Sequence, residues 1–125
     1  MNNKALGTAF EKKLCKKLAD LDYWVHFISP DNRGAQPFDI VAVKNNIPIA
    51  IDCKTSARSV FPYDRLEDNQ KLAFEKWLRC GNEYAVIAVK FKERIYFIEY
   101  EWLEEEGKLK LADCPKMEEW LYGRF

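Results

Sequence analysis

Phe38-Asp39-Ile40-Val41-Ala42-Val43-Lys44-Asn45-Asn46-Ile47-Pro48-Ile49-Ala50-Ile51-Asp52-Cys53-Lys54 is the stretch on which the reading of this chain turns. Two short apolar segments, Phe38 to Val43 and Ile49 to Cys53, flank a polar link whose asparagines tolerate the positive φ of a tight hairpin turn. If the chain reverses at Asn45-Asn46, the numbers of facing residues sum to 91, and Asp39 falls opposite Asp52. Side chains alternate along a strand, so Lys54 shares a face with both aspartates, while Ile40, Ile49, Ile51 and Cys53 project to the other face and form core. A three-residue loop would shift the register and undo this alignment.

Two carboxylates facing each other destabilise a sheet and resist ionising together unless a cation sits between them. Mg²⁺ or Mn²⁺ removes the conflict, since such ions take oxygen ligands, typically one or two carboxylates with phosphate and water. The ion would polarise a scissile phosphate and activate water, and the Lys54 ammonium would offset charge developing on the phosphorus centre. The competing reading makes Asp39 and Asp52 strand-end caps and Lys54 half of an exposed salt bridge. Asp52 closes the apolar run Ile49-Ala50-Ile51, and a charge in that position points to burial or to a ligand.

Working outward, Leu6, Phe10, Leu14, Leu18 and Leu21 recur at helical spacing from Ala5 to about Leu21. Glu11 lies on the margin of that stripe with Gly7, Cys15 and Leu18, where it either reaches a metal-bound water or pairs with a helix lysine. Tyr23 to Ile28 reads as a strand, and Ser29 to Gly34 as an exposed loop. Beyond the hairpin, Asp64 with Glu67 three residues on predicts a capped helix that Gly81 ends. Within it Leu66, Gln70, Ala73 and Trp77 share one face, so an amide that needs partners interrupts a buried stripe. Tyr84 to Lys90 and Arg94 to Tyr100 read as two strands joined near Lys92-Glu93. The order is α-β-β-β-α-β-β, which predicts an α/β fold with a mixed central sheet flanked by helices. The tail carries an acidic run at 104–106, a candidate strand at 108–111 and an aromatic-bearing segment at 117–122.

At 125 residues the expectation is one domain spanning 1–125, its core at about 5–102 and the tail 103–125 packed on it. The chain has no apolar leader and no run long enough for a membrane span, which predicts a cytoplasmic protein. Four irregularly spaced cysteines and one histidine give no structural zinc pattern. The sequence has no glycine-rich phosphate loop, G-x-S-x-G or H-E-x-x-H, which removes several enzyme classes. Twenty basic residues balance twenty acidic ones, so a nucleic acid would have to be held by a local basic face. Lys12, Lys13, Lys16, Lys17, Arg33, Arg58 and Lys71 are the candidate phosphate contacts, with a solvated surface as their other reading. Trp24, Phe61 and Tyr63 would either stack on bases or fill core.

Together, Glu11 in Gly7-Thr8-Ala9-Phe10-Glu11, Asp39 in Pro37-Phe38-Asp39, Asp52-Cys53-Lys54 and Gln70 resemble the PD-(D/E)XK nuclease superfamily, with its restriction-endonuclease-like fold. The resemblance runs roughly from Gly7 to Trp102. Within the superfamily, Ile51-Asp52-Cys53-Lys54-Thr55-Ser56, Val60-Phe61-Pro62, Asn69-Gln70 and Ile95-Tyr96-Phe97-Ile98-Glu99 look like Holliday-junction resolvases of the RecU kind. The resemblance implies that Asp39 and Asp52 bind metal, Glu11 completes the acidic site, Lys54 assists hydrolysis and Gln70 orients water or substrate. It also implies endonucleolytic cleavage of DNA, branched DNA included, by a protein for which a homodimer would match symmetric cleavage. Two departures stand out. Asp52 occupies a position where the resolvases usually carry Glu, and the stretch from Trp24 to Asp39 leaves no room for the long junction-gripping stalk of RecU. The alternative is a non-catalytic nucleic-acid-binding module that keeps the fold.

Overall fold

The computed structural model describes residues 3–28 and 37–122, with side chains from residue 9 onward. Its first helix, α1, covers Asn3–Asp20, and Phe10, Leu14 and Leu18 are the buried stripe that the spacing predicts. Leu21 leaves that stripe: the chain turns through Asp22 at φ 69° just after the helix, and Leu21 stands 38 % exposed. Strand β1 (Trp24–Phe27) follows, then β2 (Ile40–Lys44) and β3 (Ile47–Ser56). The loop expected at 29–34, with Arg33 in it, lies outside the described residues.

Asn45 and Asn46 have φ of 53° and 67°, the two consecutive left-handed residues of a type I′ hairpin turn. That turn sets the register, and the pairs run from Lys44–Ile47 to Ile40–Ile51, each summing to 91. After β3 come β4 (Val60–Pro62), a 3₁₀ turn at Tyr63–Arg65, α2 (Asp68–Arg79), β5 (Tyr84–Phe91) and β6 (Arg94–Glu99). α2 starts later than the sequence indicates. Glu67, not Asp64, is its N-cap and forms a capping box with Gln70, because Asp64 is already committed to the 3₁₀ turn. Gly81, at φ +100°, ends the helix as expected.

The main sheet has the order β1-β2-β3-β5-β6, antiparallel except for the β3–β5 pair, which is parallel because α2 crosses between those strands. β3 is therefore central and covered on both faces. On the α1 side Ile40, Ile49, Ile51, Val86 and Ala88 pack with Leu14 and Leu18. On the α2 side Ala50, Ile87 and Val89 pack with Phe61, Phe74 and Tyr100. Elements that the sequence did not disclose complete the second core: β4, and the helix α3 (Tyr100–Glu106), which contains the acidic run. The segment at 108–110 forms β7 (Lys108–Lys110), paired with β4, and α4 (Met117–Tyr122) buries Met117, Trp120 and Leu121 against the α1 side.

Candidate active site

β3 outruns its hairpin partner. The ladder with β2 stops at Ile40–Ile51, whereas β3 continues to Ser56 beside β5. Among the described residues no strand pairs with the β2 side of residues 52–56, which leaves a notch at the end of the sheet's central strand. Asp39 closes its near edge. Its N–H donates to the Ile51 carbonyl at 3.0 Å and its Oδ2 accepts the Cys53 N–H at 2.7 Å, so the side chain replaces the missing ladder acceptor. The strand-cap reading of Asp39 is thus correct as local geometry. The same bond holds the carboxylate against Asp52, which counts Asp39 among its charged neighbours.

Asp52 is fully buried, an unusual place for a carboxylate. Gln70 Nε2 donates to its Oδ1 at 3.0 Å, and Lys54 Nζ stands 3.6 Å from its Oδ2. Oδ2 has no hydrogen-bond partner among the described residues. Burial, the largest cause, raises the Asp52 pKa well above the ordinary carboxylate range; Lys54 opposes the shift and Asp39 adds to it.

Gln70 ties the parts together. Its Oε1 accepts from Lys54 Nζ at 3.1 Å and from the Glu67 N–H at 3.0 Å, while its amide serves Asp52. The amide that interrupts a buried stripe therefore finds a carboxylate, an ammonium and its own helix cap. Sequence reasoning missed Glu67 in this role because the cap was placed at Asp64. The spacing of Glu67 and Gln70 matches the N-cap and N3 positions of a capping box and would have disclosed it.

Glu11 approaches from the α1 side of the sheet. It forms no ion pair with a lysine among the described residues, and its Oε2 is buried without a hydrogen-bond partner. Burial first and Asp39 second raise its pKa to about 7, against a lowering by Lys54. Glu11 thus feels the charges of Asp39 and Lys54 from the opposite face of the sheet. Cys15, one turn beyond Glu11, and Cys53, between Asp52 and Lys54, line the α1 side as thiols whose pKa values are raised chiefly by burial.

Of the candidate phosphate contacts, Arg58 lies in the exposed turn after β3, its N–H held by Ser56 Oγ at 3.1 Å. Lys71 follows Gln70 and stacks its ammonium 4.4 Å from the Tyr63 ring centre. Lys12 is exposed on α1, and Lys16 pairs with Asp20 at 3.3 Å, the surface reading for that residue. Of the aromatics, Phe61 is core, Tyr63 hydrogen-bonds Tyr100, and Trp24 is 62 % exposed beside His26 on the edge strand β1.

Among the described residues no three His, Cys, Asp or Glu side chains are grouped closely enough to hold a metal as they stand. The donor set nevertheless fits a hard divalent ion. Two buried carboxylate oxygens, Asp52 Oδ2 and Glu11 Oε2, lack partners, and oxygen is the ligand that Mg²⁺ and Mn²⁺ take.

The family model of the archaeal Holliday junction resolvases (Hjc) matches residues 2–119. The chain belongs to that family. It is accordingly a junction-resolving nuclease that hydrolyses DNA phosphodiester bonds. One Hjc relative, the crossover junction endodeoxyribonuclease of Methanocaldococcus jannaschii, is 29 % identical over 107 residues, which are 86 % of this chain and 75 % of that protein. Among solved structures, the Hjc Holliday junction resolvase of Archaeoglobus fulgidus superposes with a TM-score of 0.72 at 20 % identity, covering 94 % of this chain and 99 % of that one. A bacterial homing endonuclease superposes at 0.58 with 14 % identity, covering 86 % and 73 %. These two likenesses speak for the fold, which is the one that the superfamily resemblance implies. The likeness to junction resolvases also holds, and the matched family is the archaeal one.

Proposed function

We propose that the notch formed by Asp39, Asp52, Lys54, Glu11 and Gln70 is the catalytic centre, and that it cleaves four-way DNA junctions with Mg²⁺ or Mn²⁺. The observation that carries this reading is the pair of buried oxygens without hydrogen-bond partners, Asp52 Oδ2 and Glu11 Oε2, on two carboxylates that both have Lys54 among their charged neighbours. Burying carboxylates costs several kcal/mol, to order of magnitude; Lys54, 3.6 Å from Asp52, offsets part of that cost, and a divalent cation would offset the rest.

Asp39, Asp52 and Glu11 would hold the ion, which when bound supplies Lewis acidity toward the phosphate and a more acidic water. The chain's own groups do the rest. Asp39 is fixed by the Cys53 N–H and so has little freedom to relax away from Asp52. Lys54 keeps its ammonium at the rim, anchored on Gln70 Oε1, where it can meet a non-bridging phosphate oxygen as negative charge grows. Gln70 acts by orienting Asp52 and Lys54 together, a narrower role than direct contact with water. Glu11, with a pKa of about 7, can hold or release a proton near neutrality unless a bound cation keeps it ionised.

We further infer that residues 1–125 act as one nuclease domain in the cytoplasm and that two copies act together, since a two-fold substrate calls for paired cuts. No described helix is long and apolar enough to cross a membrane. The test is incubation with linear duplex, single-stranded, flap and four-way-junction DNA in Mg²⁺, Mn²⁺ or EDTA, beside Lys54→Ala and a sedimentation measurement of mass. Paired nicks confined to the junction and to metal-containing reactions are expected. Cutting in EDTA, or cutting undiminished by Lys54→Ala, removes the assignment.

A further inference from the structure

The large aromatics of this chain mostly fill core: Phe61, Phe74, Phe97, Tyr100 and Trp120 are buried. Trp24 is not, and its indole stands 62 % exposed on the edge strand β1. The His26 ring lies parallel to it, with 9° between the planes and 6.0 Å between the centres, an offset stack that holds the indole in one orientation. Residues two apart in a strand share a face, so both rings rise from the same side of β1.

The register decides which side. Val25 and Phe27 pack into the α1-side core, so Trp24 and His26 point the other way. Their partners on β2 are Val43 and Val41, and Val41 packs against the α2-side core that contains Ala50. Asp52 and Lys54 project to that same α2 side, where Gln70 meets them. α2 packs over β3 and β5, and β1 is two strands away from β3, so the two rings stay open on the face that carries the notch. Backbone links the two places, since the Ile28 N–H at the end of β1 donates to the Asp39 carbonyl at 2.8 Å. Trp24 faces Val43, four residues from Asp39, which puts it about 13 Å from Asp39 along the strands. At about 3.4 Å per base step, that is roughly four steps of duplex DNA.

An exposed indole here suits either a second copy of the chain or the substrate. A stable interface removes about 800 Å² from each partner. Among the described residues, the large exposed apolar side chains near β1 are Leu21 and Trp24; Val60, Leu72 and Tyr122 belong to β4, α2 and α4. One indole and one leucine fall far short of an interface, whereas a nucleobase needs a single ring face. In an intact duplex each base is stacked between its neighbours and must be unstacked to be reached. At the branch point of the junction that this family resolves, base faces open where the arms part. Stacking on an aromatic ring tolerates any base, so it reads the branch and not a sequence.

From these observations we infer that Trp24, backed by His26, is a stacking platform for a base whose face is open at the branch point, and that it selects branched over linear DNA. The inference rests on the nuclease reading above and adds to it a specificity-determining residue outside the notch. The contact uses no charge, which separates its signature from that of a phosphate contact.

The test compares the wild type with Trp24→Ala, with Trp24→Leu, which keeps an apolar side chain but no π-face, with Trp24→Phe, and with Tyr122→Ala, which removes an exposed aromatic from α4. Binding is measured in EDTA across a salt titration, to a four-way junction carrying a fluorescent purine analogue at the branch point and to a linear duplex, beside sedimentation for mass. Trp24→Ala and Trp24→Leu should weaken junction binding by about 5–150-fold, and should leave duplex binding and the log–log salt slope unchanged. Both should also lose the quenching of the purine analogue that the wild type gives. Trp24→Phe should recover most of the affinity and the quenching, and Tyr122→Ala should match the wild type. Wild-type junction binding in Trp24→Leu, or an equal loss on junction and duplex, overturns the platform. So does a fall in sedimenting mass in Trp24→Ala, which would make the indole part of a subunit interface. A wild type that cuts junctions in Mg²⁺ while its binding shows no dependence on Trp24 leaves the nuclease reading in place; one that neither binds nor cuts junctions sinks both.

Discussion

Replacing Asp52 by Asn should make the protein more stable and inactive at once. The amide keeps the oxygen that accepts from Gln70 Nε2 and replaces the partnerless Oδ2 with a donor facing the Asp39 carboxylate. Removing a buried, half-satisfied charge returns about 1–3 kcal/mol. Losing the 3.6 Å contact to Lys54, whose side chain is 16 % exposed, takes back up to about 1 kcal/mol. The net gain of about 0–3 kcal/mol, centred near 1.5, raises Tm by roughly 5–8 °C at its centre for a domain of this size. The pH dependence carries a sign. The folded-state pKa of Asp52 is raised above its unfolded value of about 3.9, so its contribution to stability is complete below that value and disappears as pH climbs through the folded value. The Tm difference between the Asp52→Asn variant and the wild type in EDTA should therefore be small near pH 4 and widen toward pH 8. Adding Mg²⁺ should narrow it again, because a ligand at a hundred times its Kd stabilises the binding-competent wild type by about 2.7 kcal/mol and the variant far less. Differential scanning calorimetry over pH, with and without Mg²⁺, reads all of this. A variant that melts below the wild type at pH 8 in EDTA refutes the argument that the carboxylate is a burden the metal relieves.

Gln70→Ala strips three bonds and the N3 half of the α2 cap, and should destabilise the protein by about 2–4 kcal/mol in urea denaturation. Gln70→Glu, which can still accept from Lys54 and Glu67 but sets a carboxylate against Asp52, should restore the cap and not the activity. Lys54→Ala should lower single-turnover cleavage by about 10²–10³-fold while junction binding in EDTA changes little; an equal loss of binding would make Lys54 a phosphate anchor instead. Asn46→Gly, at a φ of 67° where glycine carries no steric penalty, should stabilise the hairpin by about 0.5–1 kcal/mol with cleavage unaffected.

The central hairpin was legible because its determinants are local. Two asparagines that accept left-handed backbone fix the turn, and the period of two then dictates that Asp52 and Lys54 leave the apolar face on which Ile49, Ile51 and Cys53 lie. The α1 stripe and the end of α2 at Gly81 follow from equally short-range patterns. At the start of α2 the sequence misled: Asp64 reads as the cap with Glu67 as its partner three residues on, whereas the 3₁₀ turn takes up Asp64 and leaves Glu67 as the cap. α3 was hidden because its acidic run reads as solvated surface, although Tyr100 and Leu103 anchor it in the core.

By itself, then, the chain specified which residues are chemically equipped and, within one hairpin, which side of the sheet they take. Tertiary structure alone decided what they meet. β2 stops one residue short of Asp39, opening the notch; α1 delivers Glu11 to it from one side of the sheet and α2 delivers Gln70 from the other. The physical reason is range. Turn and periodicity preferences act over a few residues, whereas convergence depends on how two apolar cores settle against opposite faces of one sheet, and no short stretch of sequence encodes that.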